Sequence, residues 1–571
     1  MPGGLLNLVA YGNQNIVLNG NPSKTFFKTT YAKYSNFGLQ RFRIDFDGLR
    51  SLRMTESSVF EFKIPRYADL LMDTYLVLDL PNIWSPIVPP ICGNPNIVPP
   101  HPAATWQPYE FKWIENLGSQ LIETVRFKVS GQVIQEFTGQ YMMNLVERDF
   151  AIKKDLYYRM TGNTPDLNDP ANVNGRNGLY PSAAAPPNAS PFNQVGVEPS
   201  IRGKQLYIPL NIWFTIAAKM AFPLVSLQYA DFSIEVTIRP VQELFVVRKI
   251  SESEEDTSAG HYIKTNPTGG TYGFYKFLQS PPNGYPTTYE DTRTNWNADI
   301  HLVATYCFLS DDEVRQFASE PQSYLIKQVY TTEYQNIVGS KRIDTKSLGM
   351  VSSYMWFLQR DDAYLRNEWS NYSNWPYKYI PYNIEPPAPP ENPFGLPNNT
   401  AGYDCNGTIL YPNEDNDGGV TSIAVTGAYK VANSKDIMKT WGLLLDGKYR
   451  EDPQPVGVFN YVEKYTRTNG AGQDGLFCYN FGLNTSPYDF QPSGAQNMSK
   501  FTTTEFEITT SLPTLDPNAQ FQTICDNEGN VIGTIKPAWG IYEYTYNLVV
   551  MEERYNILNF TSGTAGLEWA R

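Results

Sequence analysis

The sequence predicts an all-β protein: two consecutive eight-stranded antiparallel β-sandwiches with long loops and a few short helices. Three observations predict it. Apolar and polar residues alternate in short runs from end to end, as at Phe60, Phe62 and Ile64, or Phe232, Ile234, Val236 and Ile238, the mark of strands with one buried face. Gly (41), Pro (43) and an aromatic content of 14% suit short strands joined by turns better than long helices. The length of 571 residues exceeds what one hydrophobic core serves, and the second half echoes the first.

Residues 1–25 form a Gly/Asn-rich arm with little to bury. The first sandwich is expected over 26–312. Tyr75 to Leu80 is almost continuously apolar and reads as a strand covered on both faces. Val125, Phe127 and Val129 alternate, and Ser130-Gly131 supplies a hairpin turn before Val133. A short helix is expected at Gln140 to Asp149. Long loops fall at 81–108, 162–202 and 240–298, where Pro, Asn and Gly accumulate.

Leu302 to Tyr330 reads as the joint between the halves: strand, capped helix, strand. Ser310 and Glu313 have capping-box spacing, Asp311 and Asp312 suit the positive end of a helix, and Pro321 stops it. The connecting helix and linker are placed at 313–322, and the second sandwich at 323–571, with a long loop at 366–420. Trp441 to Leu445 is a strand with Asp446-Gly447 as its turn; Phe477 to Leu483 and Thr504 to Ile508 are two more. Tyr542, Tyr544, Tyr546, Leu548 and Val550 give the clearest alternation in the chain. The halves share a strand–turn–strand unit (VRFKVSGQVIQEF and LLLDGKYRE), then a Tyr…Leu-Asn segment, a proline and a strand (FSIEVTI and TEFEITT).

Catalytic and ligand motifs fail on inspection. Gly442 to Lys448 follows most of a P-loop, but Tyr449 stands where Ser or Thr should hold magnesium; a hairpin explains it better. Asn413 to Gly418 starts like a calcium loop, yet Ala424 occupies the position of the bidentate Glu. His101, His261 and His301 are scattered, and the five cysteines (Cys92, Cys307, Cys405, Cys478, Cys525) form neither a zinc signature nor a disulfide framework. The expectation is no enzyme, no cofactor and no metal. The net charge of -13 argues against nucleic-acid binding by the whole molecule, although Lys24, Lys28, Lys33, Arg41, Arg43 and Arg50 make the first 50 residues locally basic. The N-terminus lacks the pattern of a signal peptide, and Leu210 to Leu227 is broken by Lys219 and Pro223, too much for a membrane span. Charged residues are only 18%, against about 25% in typical chains, as suits a surface largely covered by partners.

Four blocks carry a family likeness: GGLLNLVAYGNQNIVLNGNPSKTFFKTTYAKYSNF at Gly3 to Phe37, LYIPLNIWF…FPLVSLQYADFSIEV, FLSDDEVRQFA…YLIKQ, and the C-terminal YNILNFTSGTAGLEWA. In this order the chain resembles the major capsid proteins of nucleocytoplasmic large DNA viruses. The resemblance implies a double jelly roll, a homotrimer forming a pseudo-hexagonal capsomer, and an icosahedral shell around a double-stranded DNA genome and an internal membrane. It implies neighbouring capsomers and minor capsid proteins as partners, no sequence-specific nucleic-acid binding, an arm at the inner capsid face, and assembly in the host cytoplasm. It also raises the loop sequons Asn188, Asn398 and Asn406 as glycosylation candidates, among seven that include Asn371, Asn484, Asn497 and Asn559. Two rival readings use the same fold: a carbohydrate-binding jelly roll with Trp369 to Trp375 as a stacking platform, and a minor capsid or scaffold protein.

Overall fold

The computed structural model describes residues 12–88, 107–183, 198–249, 262–270, 272–281, 289, 291–294, 296–379, 402–403, 409–412, 420–423, 434–513, 522–525, 529–535 and 544–569. In the first half, eight strands carry the architecture: β1 (Gly38–Asp45), β2 (Ser58–Lys63), β3 (Leu70–Asp79), β4 (Ile122–Val129), β5 (Gln132–Thr138), β6 (Gln205–Pro209), β7 (Phe232–Ile238) and β8 (His301–Phe308). They form two antiparallel sheets, β1-β8-β3-β6 and β2-β7-β4-β5. In the second half the corresponding strands are β9 (Gln322–Ile337), β10 (Ser340–Asp344), β11 (Met350–Arg360), β12 (Met438–Leu445), β13 (Lys448–Pro455), β14 (Leu476–Asn480), β15 (Thr504–Thr510) and β16 (Tyr546–Thr561). Their sheets run β9-β16-β11-β14 and β10-β15-β12-β13. Adding eight to every strand of the first half gives the order of the second. Each half is thus the same jelly-roll sandwich.

Alternation decides which face is inside. Across β2, β7 and β4, Phe62, Ile234 and Phe127 share one row, and Phe60, Val236 and Val125 share another; all six are buried. Phe127 meets Phe232 and Phe222 with ring centroids 4.4 and 5.3 Å apart, largely edge to face, the arrangement ring quadrupoles favour. The second core is built on Trp356 and Trp441, stacked 4.5 Å apart, with Phe506 and Phe459 edge-on to Trp441. Both hairpins use the turns read from the sequence. Ser130 and Gly131 have φ of 49° and 79°, Asp446 and Gly447 of 47° and 73°. Two successive positive values match the twist of a two-residue hairpin, so GLLLDGK is a strand entering a turn.

Other expectations change. The joint is β8, a helix α2 (Asp311–Ser319) and β9, but the capping box does not form. Ser310 stands at the N-cap but makes no side-chain bond to the helix backbone; its hydroxyl donates to the Glu313 carboxylate at 3.4 Å, and the same carboxylate accepts the Ser35 hydroxyl at 2.7 Å, tying down the segment that follows the arm. The region 240–298 is not simply loop: Phe245–Arg248 pairs with Tyr262–Ile263 on one side and Phe111–Trp113 on the other. Loops this long accumulate enough apolar residues to bury a layer of their own. Beyond residue 379, the described parts of the 366–420 loop pair as short strands at Gly402–Tyr403, Ile409–Pro412 and Val420–Ile423. No described helix is long and apolar enough to cross a membrane.

Candidate assembly surfaces and the seam between the sandwiches

The two sandwiches meet along a buried seam organised by helix α1 (Gly139–Asp149), which leaves β5 without a linker. Its start is fixed by two features. Thr138 caps it, the hydroxyl accepting from the Tyr141 N–H at 3.2 Å. Residue 139 must be glycine, because a Cβ there would lie 1.9 Å from the Ser119 carbonyl oxygen. The helix is buried along nearly its whole length, so its polar side chains need partners, and they find them in the second sandwich.

Arg148 is the centre. Its guanidinium donates to Asp149 at 2.7 and 2.9 Å and to Glu553 of β16 at 2.8 Å. Glu553 also accepts the Tyr141 hydroxyl at 2.9 Å and the Ser353 hydroxyl of β11 at 2.6 Å, while Asp149 accepts Thr485 at 2.5 Å. All three charged side chains are at most 1% exposed. Backbone joins in: the N–H groups of Gly470 and Gly472 donate to the carbonyls of Arg148 and Glu147, each at 2.7 Å. A Cβ on residue 470 would come within 2.4 Å of the Glu147 oxygen, so only glycine permits that approach. Apolar packing continues around the cluster, and the core of the first sandwich runs on through Ile326, Met355, Phe357 and Met551 of the second.

Burial opposes the Glu553 charge, but Arg148, then Lys327, outweigh it and hold its pKa at about 2. Burial lifts Asp149 above its ordinary value in spite of Arg148. The signs differ. Asp149 takes up a proton more readily when folded, so its titration does not weaken the fold. Glu553 adds stability that is complete above its ordinary pKa of 4.5 and disappears as pH falls through about 2. The expected result is a thermal midpoint that drops between pH 4.5 and 2, followed by calorimetry, with a visibly smaller slope in Glu553→Gln.

The sequence-level candidates are dispersed. Asn188, Asn398 and Asn406 lie outside the described residues, as do His101, His261, Cys92, Cys405 and the Asn413–Gly418 turn. Asn371 is buried, its amide donating to the Trp375 carbonyl and its oxygen accepting from Ser373, which leaves no room for a glycan. Trp369 is not a sugar platform: its N–H donates to the Glu243 carbonyl at 3.1 Å and its ring lies under Arg239 at 4.1 Å, locking the two sandwiches together. His301 sits in β8, with Nδ1 2.6 Å from the Asp299 carbonyl. Of the basic N-terminal group, Arg43 and Arg50 are bound to Asp45 and Asp299. A cleft beside the seam is lined by Glu115, Glu147, Lys154 and Lys378 among others, and there Glu147 is bridged to Lys154 and Glu115 to Lys378. Among the described residues no group of three His, Cys, Asp or Glu could hold a metal ion. Sequence reasoning missed Arg148, Glu553 and Tyr141; their only signal was charge within elements that otherwise read as buried, Glu147-Arg148-Asp149 at the end of the helix and Glu552-Glu553-Arg554 in the last long strand.

Exposed apolar side chains cluster on the described surface. The end of the arm and the segment that follows it expose Val17, Leu18, Phe26, Phe27, Tyr31 and Tyr34. Tyr461, Val462 and Tyr465 are exposed on the helical connection after β13. Exposed aromatic and aliphatic groups in such concentration mark contact surfaces.

The comparisons agree along the whole chain. Residues 25–279 match the family model described as major capsid protein N-terminus, and 313–566 that of the large eukaryotic DNA virus major capsid protein. The major capsid protein of Phaeocystis pouchetii virus is 25% identical, with all of both chains covered. That of Paramecium bursaria Chlorella virus 1 is 23% identical, again over both whole chains. Among solved structures, a quasi-atomic model of the PBCV-1 virus capsid superimposes with a TM-score of 0.55 at 17% identity, covering 96% of this chain and 100% of that one. The Faustovirus major capsid protein gives 0.56 at 14% identity, covering 98% and 96%. Two jelly rolls of identical strand order, each half matched by its own capsid model, place this chain in the major capsid protein family of large eukaryotic DNA viruses.

Proposed function

We propose that this chain is the main building block of a viral shell, acting by assembly and not by catalysis. Three copies form a capsomer of six sandwiches with pseudo-hexagonal outline, and capsomers tile an icosahedral shell around a double-stranded DNA genome. The observation that carries this reading is the sealed seam. It makes two like sandwiches one rigid block, which is the geometry a pseudo-sixfold ring of three chains needs. Weak contacts then suffice, since a closed shell repeats each of them many times.

In this reading residues 26–312 and 323–571 are the two jelly-roll units, and 313–322 connects them. The arm at residues 1–25, with the exposed apolar run that follows it, faces inward toward minor capsid proteins or an internal membrane. The loops at 81–108, 162–202, 240–298 and 366–420 face outward, and Asn188, Asn398 and Asn406 are the sites to examine for glycans. Assembly takes place in the host cytoplasm, without sequence-specific contact to nucleic acid. Light scattering on the purified chain at neutral pH is expected to give three times the 64.7 kDa chain mass. A concentration-independent monomer overturns the proposal.

A further inference from the structure

The seam inside the chain has an unused counterpart. Helix α1 follows β5; in the second half a π-helical turn Val458–Val462 and helix α3 (Glu463–Arg467) follow β13, the equivalent strand. The two connections carry the same run of residues. Asn144-Leu145-Val146-Glu147-Arg148-Asp149 in the first aligns with Asn460-Tyr461-Val462-Glu463-Lys464-Tyr465 in the second, with Asn, Val, Glu and a basic residue in common. Their surroundings differ. Asn144 and Arg148 and their counterparts Asn460 and Lys464 are all buried, but Leu145, Val146 and Asp149 are 4%, 1% and 3% exposed, whereas Tyr461, Val462 and Tyr465 are 61%, 55% and 91% exposed.

The receiving faces show the same asymmetry. Helix α1 lies on the outer face of β9-β16-β11-β14, where the row Val329, Glu553 and Ser353 and the row Met551, Met355 and Cys478 are buried. The equivalent face of β1-β8-β3-β6 presents the row Arg43, Val303 and Tyr75 and, next to it, the row Asp45, His301, Val77 and Tyr207. His301 and Val77 are buried here, but Val303 and Tyr75 are only half-buried and Tyr207 is 41% exposed, so the face is open around these three. The second helical connection rests its inner side, Phe459, Asn460 and Lys464, on its own sandwich and leaves its tyrosine side bare, and among the described residues the outer face of the first sheet carries no such helix.

We infer that they are partners between copies: Tyr461, Val462 and Tyr465 of one chain pack on the outer face of the first sheet of a second chain, around Tyr75, Val303 and Tyr207. The inference rests on the capsomer reading and supplies its contact. The chemistry fits, because tyrosine on both sides buries large apolar area with a hydroxyl left for the rim. The geometry fits as well. The contact joins two different surfaces, so it is head-to-tail and propagates until a ring closes. Each step repeats between chains the arrangement already made once within a chain.

The test uses the full-length chain. Tyr465→p-benzoylphenylalanine is irradiated in a mixture of isotopically labelled and unlabelled copies, and mass spectrometry locates the cross-links. The expected cross-links are between chains and fall on β1, β3 or β8. In parallel, Tyr461→Glu with Tyr465→Glu is expected to weaken assembly at least about tenfold by light scattering against concentration, with the thermal midpoint of the dissociated chain unchanged because both side chains are exposed. Trimers that survive the double substitution, or cross-links confined to other surfaces, overturn this contact while leaving the capsomer reading intact. A wild-type chain that never associates overturns both.

Discussion

Replacing Arg148 with Met is expected to cost about 3–5 kcal/mol of stability, because it strands Glu553 and Asp149 as buried charges. Methionine fills much the same space, so the loss reports electrostatics more than packing. The desolvation of the carboxylates has already been incurred by the fold; the guanidinium is the main charge that offsets it, through the bonds of 2.7–2.9 Å that it makes to both. A thermal midpoint lowered by about 10 °C is the expected reading for a unit of this size. Adding Glu553→Gln to Arg148→Met should recover part of the loss, since it removes one stranded charge. The location of the damage is as informative as its size. Hydrogen exchange should rise on both sides of the seam, in α1 and in β16 and β11, while the interiors of both sandwiches keep their protection. An unchanged midpoint would mean that the sandwiches are held by apolar contact alone.

Trp441→Ala is expected to cost a similar amount, about 3–5 kcal/mol, by a different route. Trp441 is fully buried and touches Trp356, Phe459, Phe506 and Tyr479 with centroids 4.5–5.2 Å away. Its indole N–H has no hydrogen-bond partner, so its contribution is packing, and alanine leaves a cavity that the stacked partner cannot fill. The second core is separate from the core that spans the first sandwich and the seam. Loss of protection in Trp441→Ala should therefore be concentrated in β11, β12 and β15, with β2, β4 and β7 spared. Urea unfolding followed by hydrogen exchange reads both quantities, and Trp441→Phe should retain much of the stability, since an aromatic ring still meets Trp356. Uniform loss across both halves would show that the cores are coupled more tightly than their contacts indicate.

How much of this was legible beforehand depends on the range of the interaction. The hairpins at Ser130-Gly131 and Asp446-Gly447 were readable because a positive φ is a property of two adjacent residues. The strands Phe232–Ile238 and Thr504–Thr510 were readable because burial alternates residue by residue along them. The helix between the halves was readable from its N-cap serine, its acidic start and its proline stop, yet the bonding of Glu313 was not, since its carboxylate is shared with Ser35, 278 residues earlier. The long loops misled in the same manner: Trp369 looks like an exposed stacking residue until Arg239 and Glu243 close over it.

The sequence by itself determined the β class, the turns, the division into two like halves and the family, all of which are written in local period, turn chemistry and ordered blocks of residues. The tertiary structure alone decided which faces meet. Arg148 and Glu553 are 405 residues apart, and nothing in the spacing of either predicts the other. Their pairing is enforced because a buried charge must find its counter-charge wherever the fold brings one. The same reason separates the two N-x-V-E helices: one found a sheet within its own chain, and the other presents its tyrosines to solvent.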